Sequence, residues 1–145
     1  MAKKRYVVCG VSTRAIGMYI RPIMQKFNHC AELVGMLDID PMRFQVAKNL
    51  VEGLADKNVA EYPVTLDNWK EGFERMISEQ KPDSVIVVCQ DCYHVDYIVR
   101  GLELDLEVIS EKPMTTNIAD ALRVVETNMT HPVQPVPGEL ASSVA

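Results

Sequence analysis

The stretch that most restricts what this chain can become is Tyr6 to Gly17, reading YVVCGVSTRAIG. Tyr6-Val7-Val8-Cys9 is uniformly apolar, which suits a strand buried on both faces, as in a parallel sheet. Gly10 follows at once, then small and polar residues, then a helical pattern from Arg14 or Ala15. Strand, tight turn and helix N-terminus in that order make a candidate phosphate site. The turn gathers backbone N–H groups, and the helix end carries partial positive charge. The dinucleotide fingerprint at such a turn is G-x-G-x-x-G or G-x-G-x-x-A. Here it reads Gly10-Val11-Ser12-Thr13-Arg14-Ala15. Gly10 is the first glycine, and Ala15 serves as the third small residue, for close helix–strand packing. Ser12 replaces the middle glycine, where its side chain either crowds a pyrophosphate or hydrogen-bonds it. Taken alone, the motif fits an ordinary strand-to-helix turn equally well.

The rest of the chain repeats the alternation. A first helix is expected over Arg14–Phe27, with Pro22 kinking or ending it. A second strand covers Glu32–Leu37 and runs into Asp38-Ile39-Asp40-Pro41, where Asp40 can cap a helix reaching Val51. A short third strand is expected near Tyr62–Thr65, then a helix capped by Asp67 and ending about Gln80. Ser84–Cys89 is the clearest strand and should be central, because Val85-Ile86-Val87-Val88 has no polar alternation. Asp91–Leu104 reads as helix and Leu106–Ile109 as a further strand. Thr116 or Asn117 can cap a last helix to about Asn128. Strict alternation predicts an α/β fold, a doubly wound parallel sheet with helices on both faces. Ligands of such sheets bind at the carboxyl ends of the strands. That rule selects the turns Gly10–Arg14, Asp38–Asp40, Cys89–His94 and Ser110–Met114. The Pro-rich segment 130–145 cannot continue a helix; it is expected to be a poorly ordered tail on a single domain over 1–129.

With 145 residues the chain can bury one real core. Fifteen Lys and Arg against 20 Asp and Glu leave a net charge of −5, which argues against nonspecific nucleic-acid binding. Lys3-Lys4-Arg5 is too short to reverse that. No apolar run approaches the ~18 residues a membrane span needs, and no apolar core follows the basic N-terminus as in a secretory signal. Cys9, Cys30, Cys89 and Cys92 fit a reducing, cytoplasmic setting.

Asp38 lies 23 positions beyond Ala15. An acid at about this distance accepts hydrogen bonds from the adenosine ribose and repels a 2′-phosphate, favouring NAD over NADP. The plainer reading is a helix-capping aspartate, and nearby Arg43 leaves room for some NADP. Cys89 and Cys92 form a C-x-x-C that could suggest a redox pair or half a metal site. Cys89 sits at a strand end and no second cysteine pair exists, so the bland reading is preferred. His94, in the first turn of a helix at the carboxyl edge, is better placed for a ligand than a typical surface histidine. His29 and His131 look incidental. Lys112 can donate a hydrogen bond to a substrate hydroxyl or take part in proton transfer, although a solvated Glu-Lys turn is the simpler account.

The Gly10–Ala15 turn with Gly17-Met18-Tyr19, the run Leu37-Asp38-Ile39-Asp40-Pro41, and Lys81-Pro82-Asp83 leading into Ser84–Val88 form one pattern. Asp91-Cys92-Tyr93-His94 and Glu111-Lys112-Pro113-Met114 complete it. The pattern resembles the nucleotide-binding domain of the glucose–fructose oxidoreductase / inositol dehydrogenase (Gfo/Idh/MocA) family over about residues 4 to 128. E-K-P after a strand, with D-x-x-H before it, is the specific part. The resemblance implies a Rossmann-type domain binding a dinucleotide, NAD or NADP. It implies the Gly10 turn on the pyrophosphate, with Ser12, Thr13, Arg14 and Ala15. It places Asp38 on the adenosine ribose, Cys89, Gln90 and His94 along the nicotinamide half, and Glu111 near its ribose. Lys112 is similar to the family lysine that contacts the hydroxyl being oxidised. Two departures stand out: Ser12 for the second glycine, and Cys89-Gln90 where the family commonly has Thr-Pro. The family's second, α+β domain is not in this sequence, so the chain is expected to bind dinucleotide but not to turn over a sugar or polyol alone. The alternative is a nonenzymatic module that binds dinucleotide or assembles with copies of itself.

Overall fold

The computed structural model describes residues 2–131. Five strands, β1 (Lys4–Cys9), β2 (Ala31–Asp38), β3 (Ala60–Pro63), β4 (Ser84–Val87) and β5 (Glu107–Ser110), form one sheet. All neighbours pair in parallel, in the order β3-β2-β1-β4-β5. The chain therefore winds outward from β1 to β3, then restarts on the other side of β1 with β4. The reversal leaves a crevice beyond the carboxyl ends of β1 and β4.

Alternation within the central strands feeds two cores, one per face. Tyr6, Val8, Ile86 and Val88 pack with Ile16, Ile20, Ile23 and Phe44 on one side. Val7, Cys9, Val85 and Val87 pack with Phe73, Met76, Ile98 and Leu102 on the other. Uniformly apolar strands are what a sheet covered on both faces requires, and the doubly wound Rossmann-like architecture follows.

The helices correct several sequence-based boundaries. The first, α1, starts at Thr13, not Arg14, and runs as Thr13–Ala15, a π turn over Ile16–Ile20, and Arg21–Gln25. In the wide turn the Arg21 N–H reaches the Ile16 carbonyl, five residues back. Pro22 brings no N–H to the ladder, so the widened turn just before it lets the helix pass through the proline instead of ending there. Helix α2 spans Met42–Leu50 with Pro41, not Asp40, at the cap position; the Asp40 carboxylate sits one residue ahead and accepts from the Met42 N–H at 3.0 Å. Strand β3 lies two residues earlier than its expected start; Pro63 is tolerated because β3 is an edge. Asp67 does not cap α3 (Trp69–Gln80). Asn68 holds that position, and its side chain turns back to accept from the Thr65 N–H at 2.6 Å. A 3-10 turn over Asp91–Tyr93 precedes α4 (His94–Glu103), and Asn117 caps α5 (Ile118–Thr130) by accepting from the Asp120 N–H at 2.8 Å. Helix α5 thus reaches the first residue of the expected tail; positions 132–145 lie outside the described residues. Among the described residues no helix is long and apolar enough to cross a membrane.

Gly10 is the tightest point of this framework. Its φ is +95°, and a Cβ there would sit 2.5 Å from the Cys89 nitrogen and 2.7 Å from the Val88 carbonyl carbon. Both neighbours are backbone at the end of β4 and cannot swing aside. Gly10→Ala is expected to lower the unfolding free energy by about 3 kcal/mol, from left-handed strain plus overpacking, as read by urea denaturation.

Candidate functional site

A cleft of about 930 Å³ opens at the carboxyl edge. It gathers all four turns that the sequence singled out. Gly10, Ser12, Thr13, Arg14, Asp38, Cys89, Gln90, His94, Glu111 and Lys112 all contribute to its lining. Ala15 does not; it is fully buried in the core under α1.

The glycine turn is held by its neighbours. The Gly10 N–H donates to the Leu37 carbonyl at 2.8 Å, and the Val11 N–H donates to Asp38 Oδ2 at 2.7 Å. Ser12 sits at φ −77°, ψ 170°, extended backbone that any residue adopts, so the turn does not demand a second glycine. The Ser12 hydroxyl accepts from the Ala15 N–H at 3.1 Å and donates to the Val88 carbonyl at 3.5 Å. The side chain therefore caps α1 and leans on β4. No acceptor among the described residues meets the N–H groups of Ser12, Thr13 or Arg14. Three free donors at a helix N-terminus are an anion site in the making.

Asp38 Oδ1 accepts from the Asp40 N–H at 2.8 Å, so the carboxylate braces its own turn as well as the glycine turn. Each oxygen keeps a further lone pair for a ligand hydroxyl. Arg43 Nε donates to the Val11 carbonyl at 2.8 Å, fastening the glycine turn from α2. The sequence reading overlooked the apolar wall opposite, made by Leu66, Trp69 and Tyr97. The Trp69 and Tyr97 rings meet edge to face with centroids 4.9 Å apart. Trp69 had a signal, as an aromatic in the first turn after β3, but its spacing with Phe73 reads as core. Tyr97, on the buried side of α4, carried none.

On the β5 side, both Glu111 oxygens are engaged. Tyr19 donates to Oε2 at 2.6 Å and Arg14 to Oε1 at 2.9 Å. The Tyr19 bond first, then the Arg14 guanidinium, hold Glu111 below the usual carboxylate value. Burial and the same bond raise Tyr19, keeping it a donor. Lys112, the next residue, is exposed and has no hydrogen bond or ion pair from its amine among the described residues. Gln90 is likewise exposed on the cleft. Burial pushes the Cys89 thiol up to about 12, which leaves little thiolate for redox or metal chemistry with Cys92. His94 is only 1% exposed, with Nδ1 2.7 Å from the Pro113 carbonyl oxygen and Nε2 2.8 Å from that of Cys89.

This arrangement has known counterparts. The model of an oxidoreductase family with an NAD-binding Rossmann fold, Gfo/Idh/MocA, matches residues 4–137. The chain belongs to the Gfo/Idh/MocA oxidoreductase family. YteT of Bacillus subtilis (strain 168), by name an oxidoreductase, is 43% identical over 123 residues, 85% of this chain and 27% of that protein. Two solved structures share the fold at a TM-score of 0.71. The WlbA dehydrogenase of Bordetella pertussis in complex with NADH and UDP-GlcNAcA is 24% identical over 90% of this chain and 33% of that one. The myo-inositol dehydrogenase of Lactobacillus casei in complex with NAD(H) and myo-inositol is 21% identical over 90% of this chain and 34% of that one. The chain thus spans about a quarter to a third of the length of these Gfo/Idh/MocA relatives.

Glu111→Gln removes the carboxylate that joins β5 to α1, and should lower stability at neutral pH by about 1 kcal/mol, Arg14 being half exposed. Because its pKa is depressed on folding, the contribution is present above the ordinary glutamate pKa of about 4.3 and lost as pH falls through the lowered folded value. Urea titrations of both proteins from pH 7 to pH 3 should therefore converge at the acid end.

Proposed function

We propose that this chain is the cofactor-binding part of an oxidoreductase acting on a sugar, polyol or related hydroxyl compound, with a nicotinamide dinucleotide lying across the crevice. The observation that carries the proposal is the trio of N–H groups at Ser12, Thr13 and Arg14 that meet no acceptor among the described residues, on residues that line the same cleft as Asp38 and Lys112. The residues suit the group. Gly10 lets the turn lie flat against β4, the N–H groups and the α1 terminus suit a pyrophosphate, and Ala15 packs the helix close behind. Asp38 accepts from the adenosine ribose, and its charge favours NAD over NADP, with Arg43 moderating the preference. Cys89, Gln90 and Glu111 border the nicotinamide half. When bound, the nicotinamide exchanges a hydride with the substrate carbon. Lys112 holds the substrate hydroxyl by donating a hydrogen bond to its oxygen, or moves its proton.

Turnover belongs to this domain only together with a substrate domain that closes over Lys112. A reducing, cytoplasmic setting goes with the reading, since all four cysteines are free. A second reading, self-association without catalysis, is favoured by Ile118, Leu122, Val125 and Met129. These exposed apolar residues recur along α5 at spacings of four, three and four. Strand β5 also pairs on one side only among the described residues.

Calorimetric titration with NADH, NAD and NADPH decides between them. Micromolar NADH binding is expected. Asp38→Ala should weaken it about 10- to 100-fold, the effect of losing charge-assisted hydrogen bonds. No binding at millimolar ligand, with dimers in sedimentation equilibrium, would favour the second reading.

A further inference from the structure

Resting on the dinucleotide reading above, we propose that His94 is a positioning residue for the nicotinamide end, a clasp set into the cleft floor that acts through the two loops it touches. Its ring is 1% exposed, so almost none of its surface is open to a bound molecule. Its two nitrogens lie 2.7 Å from the Pro113 carbonyl oxygen and 2.8 Å from that of Cys89. Those carbonyls belong to different loops, one following β5 and one following β4. The last backbone bond between these two strands is from the Glu111 N–H to the Val87 carbonyl, at 3.0 Å. Beyond it, His94 is the one polar link between the two loops among the described residues.

The consequence falls on Lys112. Its predecessor Glu111 is tied to α1 through Tyr19 and Arg14, and its successor Pro113 is tied to α4 through His94. The Lys112 backbone is gripped on both sides while its amine stays unpaired. That is how a reactive group is kept in one geometry without being occupied by the protein itself. The same ring holds the carbonyl immediately before Gln90, the exposed amide on the opposite lip. A neutral imidazole donates through one nitrogen and a doubly protonated one through both. The ring ties both carbonyls at once when both nitrogens carry protons and ties one of them when neutral, whereas a phenyl ring ties neither.

The test compares NADH with ADP-ribose, which has the pyrophosphate and adenosine but no nicotinamide, on the full chain and its His94→Phe and His94→Gln variants. Amide hydrogen exchange is followed in the absence of ligand. The clasp predicts that His94→Phe loses about tenfold in NADH affinity while ADP-ribose changes less than about twofold. It also predicts faster exchange at residues 89–91 and 111–114 but not in β2. His94→Gln, which keeps one donor, should fall between, and decides the matter if His94→Phe does not fold. Equal losses for both ligands would show a purely structural histidine, and no loss for either would show that the clasp does nothing; both overturn the proposal. Should the unaltered chain bind neither ligand, the dinucleotide reading itself fails. The exchange data then judge the clasp alone, and unchanged protection in the two loops sinks it.

Discussion

The molecule is built around one close approach, the Gly10 backbone against the backbone of Val88 and Cys89. A parallel sheet brings the ends of β1 and β4 side by side, but a side chain at position 10 would hold the following turns apart. With no Cβ at Gly10 the two turns close up, and the crevice opens outward at the carboxyl edge. Ser12 exploits the same contact by leaning its hydroxyl on the Val88 carbonyl while capping α1. The departure from the glycine pattern is thus accommodated by conformation. At φ −77° the backbone needs no glycine, and the hydroxyl has local work to do.

The polar residues at this edge fall into two groups. Asp38, Glu111 and His94 direct their polar atoms at the protein's own loops and brace the glycine turn, β5 and the two lips of the cleft. Lys112, Gln90 and the N–H groups of residues 12–14 have no such partners among the described residues. A rigid frame of internally satisfied groups around a few unsatisfied ones is the physical form of a pre-organised binding site. The bracing residues limit where the free ones can go, and the free ones retain their full capacity for a ligand. Asp38 alone stands in both groups, because a carboxylate has lone pairs to spare after two internal bonds.

The same division explains which parts of the site could be read in advance. A motif fixes a residue's place along the chain, so Gly10, Asp38, His94 and Lys112 could be assigned to one edge. It is silent on which atoms each side chain turns toward. His94 reads as a cleft residue because it starts the helix that follows β4. Its burial follows from the β5 loop folding over it, a contact between residues 19 positions apart. The apolar wall of Leu66, Trp69 and Tyr97 escaped notice for the opposite reason. Helical spacing of aromatic residues looks identical whether the rings face a core or a cleft.

The sequence by itself determined the continuous apolar runs of the inner strands, their alternation with amphipathic helices, and the turns between them, because these are set by local spacing and by glycine and proline geometry. Those patterns were sufficient for a parallel doubly wound sheet and for the edge on which its ligand-facing turns lie. Only the tertiary structure decided the rest. It placed the helix start at Thr13, carried α1 through Pro22 on a widened turn, put Asn68 in place of Asp67 ahead of α3, and set which side chains brace and which stay free. Each of those outcomes depends on where a hydrogen-bonding group finds its partner, and that partner's position exists only once the sheet has brought distant segments together.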